Sequence, residues 1–148
     1  MSGESVTRRG KILVVDDDPI VLKTAGSILT MAGFQVVMLD DAIEGLAIVK
    51  DPSFDVSVLD IKMPNLSGMD LLKAFRHARP DVEVIMMTAF ATVETAVEAV
   101  KAGAYDYLTK PFEDIDDLTL SVQRAVQKKQ LQDHAHQLEA KLEARPRF

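Results

Sequence analysis

Five short apolar runs punctuate this chain, at Lys11–Val15, Gln35–Leu39, Asp55–Leu59, Val82–Met87 and Tyr105–Thr109, and each is followed by a stretch of helical period. Runs this short, rich in Val, Ile and Leu, suit strands buried on both faces rather than helices. Regular alternation of strand and helix predicts a parallel sheet packed between helices, joined by right-handed crossovers. The expected class is therefore α/β, a doubly wound (βα)5 unit with a five-stranded parallel sheet.

Local signals support this parsing. Asp18 is placed to cap a helix with Pro19 at its first position, and Asp41 with Glu44 has the spacing of a capping box. Ile43, Leu46 and Ala47 then fall on one helical face. Thr92 opens another helix, in which Val93, Ala96, Val97 and Val100 follow the i, i+3, i+4, i+7 pattern. Gly33 and Gly103 stand where helices should stop, since glycine accepts the left-handed cap conformation without a Cβ clash. Asp40, Asp41, Asp114, Asp116 and Asp117 lie at helix starts, where negative charge meets the positive dipole end.

The last helix is expected from about Asp114 to about Glu143, roughly 45 Å at about 1.5 Å per residue, longer than one face of such a domain needs. Ile115, Leu118, Val122, Ala125 and Val126 are its candidate core residues. Beyond Lys128, Leu131, Ala135, Leu138 and Leu142 alternate by four, three and four, as a coiled-coil seam does. That segment reads either as a dimerising helix or as a solvated tail. The organisation expected is a flexible N-terminus over 1–10, one folded domain over 11–126, and a helical extension over 127–148 acting as linker or coiled coil. Arg145-Pro146-Arg147-Phe148 ends the helical pattern.

The 148 residues allow one domain and a short extension, and 47% hydrophobic content suffices for a core. A formal charge of −6 argues against nucleic-acid binding by this stretch, because neutralising phosphates needs a basic face. Cysteine is absent, which excludes disulfides and thiolate chemistry and is compatible with a cytoplasmic location. No segment approaches the roughly 20 apolar residues of a membrane span. His77, His134 and His136 lack ligand spacing.

Ligand sites in open α/β sheets lie at the carboxyl ends of the strands. Asp16, Asp17 and Asp18 follow the first run, Asp60 the third, Thr88 the fourth and Lys110 the fifth. All are expected at one rim. Crowded carboxylates resist shared ionisation unless a cation sits among them, and hard oxygens suit Mg²⁺. An acidic pair for a metal, a separate carboxylate, a hydroxyl donor and an ammonium are what phosphoryl transfer to a carboxylate requires. An X-Pro bond at Lys110–Pro111 can be cis at modest cost and would aim the lysine inward.

The segments ILVVDDDP, VLDIKMPNLSG, MMTAF and GAYDYLTKPF resemble, in order and spacing, the receiver domain of two-component response regulators. The resemblance covers about Lys11 to Arg124. The stretch TVETAVEAVKAGAYDYLTKPF is most similar to receivers of the NtrC type, which activate σ54-dependent transcription through output domains not found in this sequence. The resemblance implies a CheY-like fold with strand order 2-1-3-4-5. It also implies that Asp60 is the phosphoacceptor, taking a phosphoryl group from a sensor histidine kinase or phosphotransfer protein. Asp17 would ligate Mg²⁺ directly, Asp16 largely through water, and Asp60 and the backbone carbonyl of Lys62 would complete the protein oxygens. Thr88 and Lys110 would be the catalytic pair around the phosphoryl group. Thr88 and Tyr107 would form the switch, the ring turning inward as Thr88 moves. Lys62 and Phe90 flank the path of an attacking water and are expected to tune hydrolysis. Such a domain promotes its own phosphorylation and dephosphorylation but turns over no free metabolite. Output is expected through Lys101, Asp106 and Arg124 and through the last helix, including a homodimer.

Three other functions compete. A Mg²⁺-dependent phosphatase of the haloacid-dehalogenase type would use Asp16 as nucleophile, but Ile20 departs from its signature and Asp60 would have no role. A flavodoxin-like cofactor binder shares the topology, yet three aspartates in its phosphate loop would repel the ligand. A docking module without phosphorylation keeps the fold but leaves Asp17, Asp60, Thr88 and Lys110 unexplained.

Overall fold

The computed structural model describes residues 10–110 and 115–144. The first nine residues, Pro111, the helix start at Asp114, the Ile115 side chain and the tail Arg145–Phe148 lie outside the described residues. The strands are β1 (Lys11–Val15), β2 (Gln35–Leu39), β3 (Val56–Asp60), β4 (Glu83–Thr88) and β5 (Asp106–Thr109). The helices are α1 (Pro19–Met31), α2 (Ala42–Ala47), α3 (Gly68–Ala78), α4 (Val93–Lys101) and α5 (Ile115–Glu143). All strand pairs are parallel, in the order β2-β1-β3-β4-β5 expected for a doubly wound sheet.

The three central strands bury almost every residue, while edge strand β2 has only half-buried and exposed positions. Alternate strand residues point to opposite faces, so the sheet divides the core in two. Ile12, Val14, Val58 and Ile85 pack against α1 and α5; Leu13, Leu59, Val84 and Met86 pack under the other three helices. Two strands run one residue further than their apolar runs suggest. The ladder continues through Asp60 opposite Met87 and Thr88 opposite Thr109, so both polar residues are the last members of their strands.

Polar side chains start α1 to α4. Asp18 accepts hydrogen bonds from Ile20 and Val21, Asp41 from Ile43, Ser67 from Asp70, and Thr92 from Thr95. Gly33 and Gly103 carry φ of 97° and 101°, stopping α1 and α4 in the left-handed region.

The helical faces depart from the sequence pattern. Ile43 and Leu46 on α2, and Val93, Val97 and Val100 on α4, are exposed, whereas Ala42, Gly45 and Ala99 face the sheet. Small residues let these short helices approach closely: a Cβ on Gly45 would stand 3.0 Å from Leu71 and 3.4 Å from Val15. The larger apolar side chains are thereby turned outward.

Helix α5 contributes Leu118, Val122, Ala125 and Val126 to the core, then continues past the lower edge of the sheet. Two successive lysines fasten it there. Lys128 pairs with the buried Glu83 at 3.0 Å, and Lys129 with Asp133 at 2.8 Å and Asp55 at 3.4 Å. Burial opposes the charge on Lys129, but Asp133 and Asp55 outweigh it and raise its pKa. Further on, Leu131, Leu138 and Leu142 are exposed. No helix among the described residues is long and apolar enough to cross a membrane.

Among the described residues, one buried hydroxyl has no hydrogen-bond partner. Ser57 is fully buried in β3, with Leu13 and Val84 as its register neighbours. An unsatisfied buried polar group opposes folding, so Ser57→Ala is expected to raise the unfolding free energy by about 1 kcal/mol, read from urea denaturation. A loss of stability would show that the hydroxyl is satisfied.

Candidate functional site

Strands β1 and β3 are neighbours, so their carboxyl ends bring Asp16, Asp17 and Asp60 together. One oxygen from each lies within 4.8 Å of the others, a spacing that a single cation can bridge. Asp16 is fully buried and Asp60 is 4% exposed, while Asp17 faces solvent. Asp16 is also held by its own turn, its Oδ1 accepting from the Asp18 N–H at 2.9 Å.

Lys110 reaches this group from the end of β5. Its Nζ lies 2.9 Å from Asp16 Oδ2 and 3.2 Å from Asp60 Oδ1, so it bridges the two buried carboxylates and stands closer to Asp16. Its backbone N–H donates to the Thr88 carbonyl at 2.7 Å, which fixes the lysine beside β4. Burial works against the ammonium charge, but the hydrogen bond and charge of Asp16, with those of Asp60, raise its pKa. Asp60 is also raised, above the range of a free carboxylate. Burial, reinforced by the Asp16 charge and only partly offset by Lys110, pushes it up to about 6. A bound cation among the three acids would relieve that cost, and hard carboxylate oxygens suit it.

Thr88, the last residue of β4, is buried, and its Oγ1 accepts from the Phe90 N–H at 3.1 Å. Phe90 itself is 70% exposed, and Lys62 places its ammonium 5.2 Å from the centre of the ring. Tyr107 sits opposite Met86 in register and points its hydroxyl to Thr95 on α4. Asp17 also lines a cleft of about 250 Å³ with Asp40, Asp41, Ala42, Pro64 and Asn65.

One surface expectation needs correction. Asp106 is no free surface charge: its carboxylate accepts from the Ser121 hydroxyl at 2.6 Å and from the Tyr107 N–H at 2.8 Å, tying β5 to α5. Lys101 and Arg124 are exposed.

Two residues near the site escape a sequence reading. At Gly68 a Cβ would fall 1.9 Å from the Asp60 carbonyl oxygen, so any side chain there collides with the backbone of the acid cluster. The signal was glycine immediately after the Ser67 cap, where a helix former is expected. Thr95 forms a reciprocal capping box with Thr92, which a search for Glu or Gln at that position overlooks.

Residues 12–123 match the response regulator receiver domain family. The chain is 40% identical over 136 residues to the regulatory protein AtoC of Escherichia coli, covering 89% of this chain and 29% of AtoC. It thus spans well under two thirds of that relative's length. Among solved structures, the receiver domain protein from Methanospirillum hungatei superposes with a TM-score of 0.77 at 32% identity, covering 83% of this chain and 98% of that one. The beryllofluoride-activated NtrC4 receiver domain dimer gives 0.75 at 32% identity, covering 80% and 98%. With its strand order, its acidic rim and these likenesses in agreement, the chain belongs to the response regulator receiver domain family.

Proposed function

We propose that this domain takes a phosphoryl group from a phosphohistidine of a sensor kinase or phosphotransfer protein onto Asp60, in a Mg²⁺-dependent step. The observation that carries the reading is the buried Asp60 carboxylate, held against both a second buried acid and Lys110. Asp16, Asp17, Asp60 and the Lys62 carbonyl would hold the ion, which when bound supplies positive charge against the phosphoryl oxygens.

The remaining work falls to side chains. An Asp60 oxygen attacks phosphorus, the P–O bond forms as the P–N bond to histidine breaks, and the imidazole leaves. Lys110 is already within reach of Asp60, and its ammonium meets the charge that arrives on the phosphoryl oxygens. Thr88 turns its hydroxyl proton toward the same group. Tyr107 follows Thr88 inward, and the change passes to α4 and α5. Both states share one chain, so phosphorylation acts by shifting their populations.

The domain is a cytoplasmic signalling module that promotes its own phosphorylation and processes no free metabolite. As the regulatory part of a transcription activator, it passes its state onward through the exposed seam of Leu131, Leu138 and Leu142, which a second copy of α5 can cover. Sedimentation with BeF₃⁻ is expected to show a dimer that Leu138→Lys disperses; a monomer throughout would remove this part of the proposal.

Acetyl phosphate tests the phosphoryl step. With Mg²⁺ the intact mass should rise by one phosphoryl group and not with EDTA; no gain in either condition would contradict the proposal. Lys62 and Phe90 flank the side from which water attacks the acyl phosphate. Phe90→Ala is therefore expected to shorten the phosphoryl half-life by about 3- to 10-fold, as loss of water exclusion at a reacting centre does. An unchanged half-life would remove Phe90 from this role.

A further inference from the structure

The Tyr107 hydroxyl ends on Thr95 Oγ1, in the first turn of α4. Thr95 is also half of the capping box: its Oγ1 accepts from the Thr92 N–H at 3.2 Å, while Thr92 Oγ1 accepts from the Thr95 N–H at 3.1 Å. The Thr95 hydroxyl lies 3.1 Å from the Thr92 carbonyl, to which it can donate, and 2.9 Å from Thr92 Oγ1. A hydroxyl has one proton and two lone pairs. Either hydroxyl can donate in the Thr95–Tyr107 pair, and in both arrangements the start of α4 is bonded to the ring.

The ring and Thr88 occupy the same face of the sheet. Tyr107 is opposite Met86, and Met86 and Thr88 are two apart on β4. The segment from Thr88 to Thr95 is thus fastened near its start by Thr88 Oγ1 to the Phe90 N–H, and at its end by Thr95 to Tyr107. The backbone under the ring is fixed separately, through Asp106 to Ser121 on α5. Of these two hydrogen bonds, the Thr95 contact is the one a rotation of the ring breaks.

We propose that Thr95 is a positioning residue whose hydroxyl latches Tyr107 against α4 and so sets how readily the site converts to its phosphoryl-bound form. This rests on the phosphoryl-transfer reading and extends it to a residue outside the acid cluster. When Thr88 turns from the Phe90 N–H toward Asp60, the loop that follows it moves, and the Thr95–Tyr107 bond holds the far end of that loop. A contact made in one state only shifts the equilibrium toward that state by its own free energy, which for one ordinary hydrogen bond is about a 3- to 10-fold change.

The test is the BeF₃⁻ concentration for half-saturation, followed by fluorine NMR in Mg²⁺, with urea denaturation of each variant in parallel. Thr95→Val and Tyr107→Phe are each expected to lower it by about 3- to 10-fold, because each removes the same hydrogen bond. The double variant should go no lower than the single ones. Thr95→Ser keeps the hydroxyl and should behave as wild type. These changes should not follow the stability of the variants, since loss of the cap alone would destabilise α4 without raising affinity. Unchanged half-saturation in Thr95→Val, or additive effects in the double variant, would overturn the latch. Failure of the wild type to take up BeF₃⁻ would overturn the phosphoryl-transfer reading and the latch with it, whereas uptake with unaltered variants would overturn the latch alone.

Discussion

Gly68→Ala is expected to lose about 3 kcal/mol or more of stability, together with most phosphoryl uptake from acetyl phosphate. The cause is room rather than backbone conformation. A methyl group at this position would stand 1.9 Å from the Asp60 carbonyl oxygen, 2.7 Å from its carbonyl carbon and 2.9 Å from the Ile61 Cα. All three are backbone atoms and cannot swing aside as a side chain does. Gly68 also donates its N–H to the Ile61 carbonyl at 2.8 Å, so α3 begins directly against the end of β3 that carries the acid. Accommodating the methyl means separating α3 from β3, which displaces Asp60 from Lys110. Urea denaturation and intact-mass labelling measure the two effects. A variant with wild-type stability and uptake would show that the α3 start yields more easily than its contacts imply.

Asp60→Asn is expected to abolish phosphoryl uptake and, at the same time, to make the domain more stable near pH 7.5 by about 1–3 kcal/mol. The direction follows from the raised pKa. Asp60 in the folded chain sits at about 6, above the ordinary 3.8, so the folded state binds the proton more tightly than the unfolded state. Above pH 6 the ionised carboxylate therefore opposes folding, and below about 4 that opposition is gone. Asparagine carries no charge at any pH. The stability gap between variant and wild type should be widest above pH 6 and close as the pH falls through 6 toward 4. Mg²⁺ should narrow the gap at pH 7.5, since it neutralises the cluster it binds. Urea midpoints across this range measure it; an asparagine variant less stable than wild type at pH 7.5 would mean that the Lys110 pairing outweighs burial and the Asp16 charge.

The strands were legible because β1, β3 and β4 are buried on both faces, which leaves an unbroken apolar run in the sequence. The rim was legible for the same reason: once the strands are parallel, Asp16, Asp60, Thr88 and Lys110 must share one edge. Helix orientation was not. In α2 and α4 the periodic large residues mark the exposed face, because closeness to the sheet selects Gly45 and Ala99 for the inner one. Contacts between distant residues were also hidden. That Lys110 lies nearer Asp16 than Asp60, that Asp106 is spent on Ser121, and that Thr95 meets Tyr107 are outcomes of packing that no local pattern encodes.

The central claim is that Asp60, among the clustered carboxylates, is the one that takes the phosphoryl group. Borohydride reduction after acetyl phosphate treatment in Mg²⁺ converts an acyl phosphate into a stable alcohol that peptide mass spectrometry can locate. The account predicts the modification at Asp60 and nowhere else. Modification at Asp16 or Asp17, with Asp60 unchanged, would contradict it.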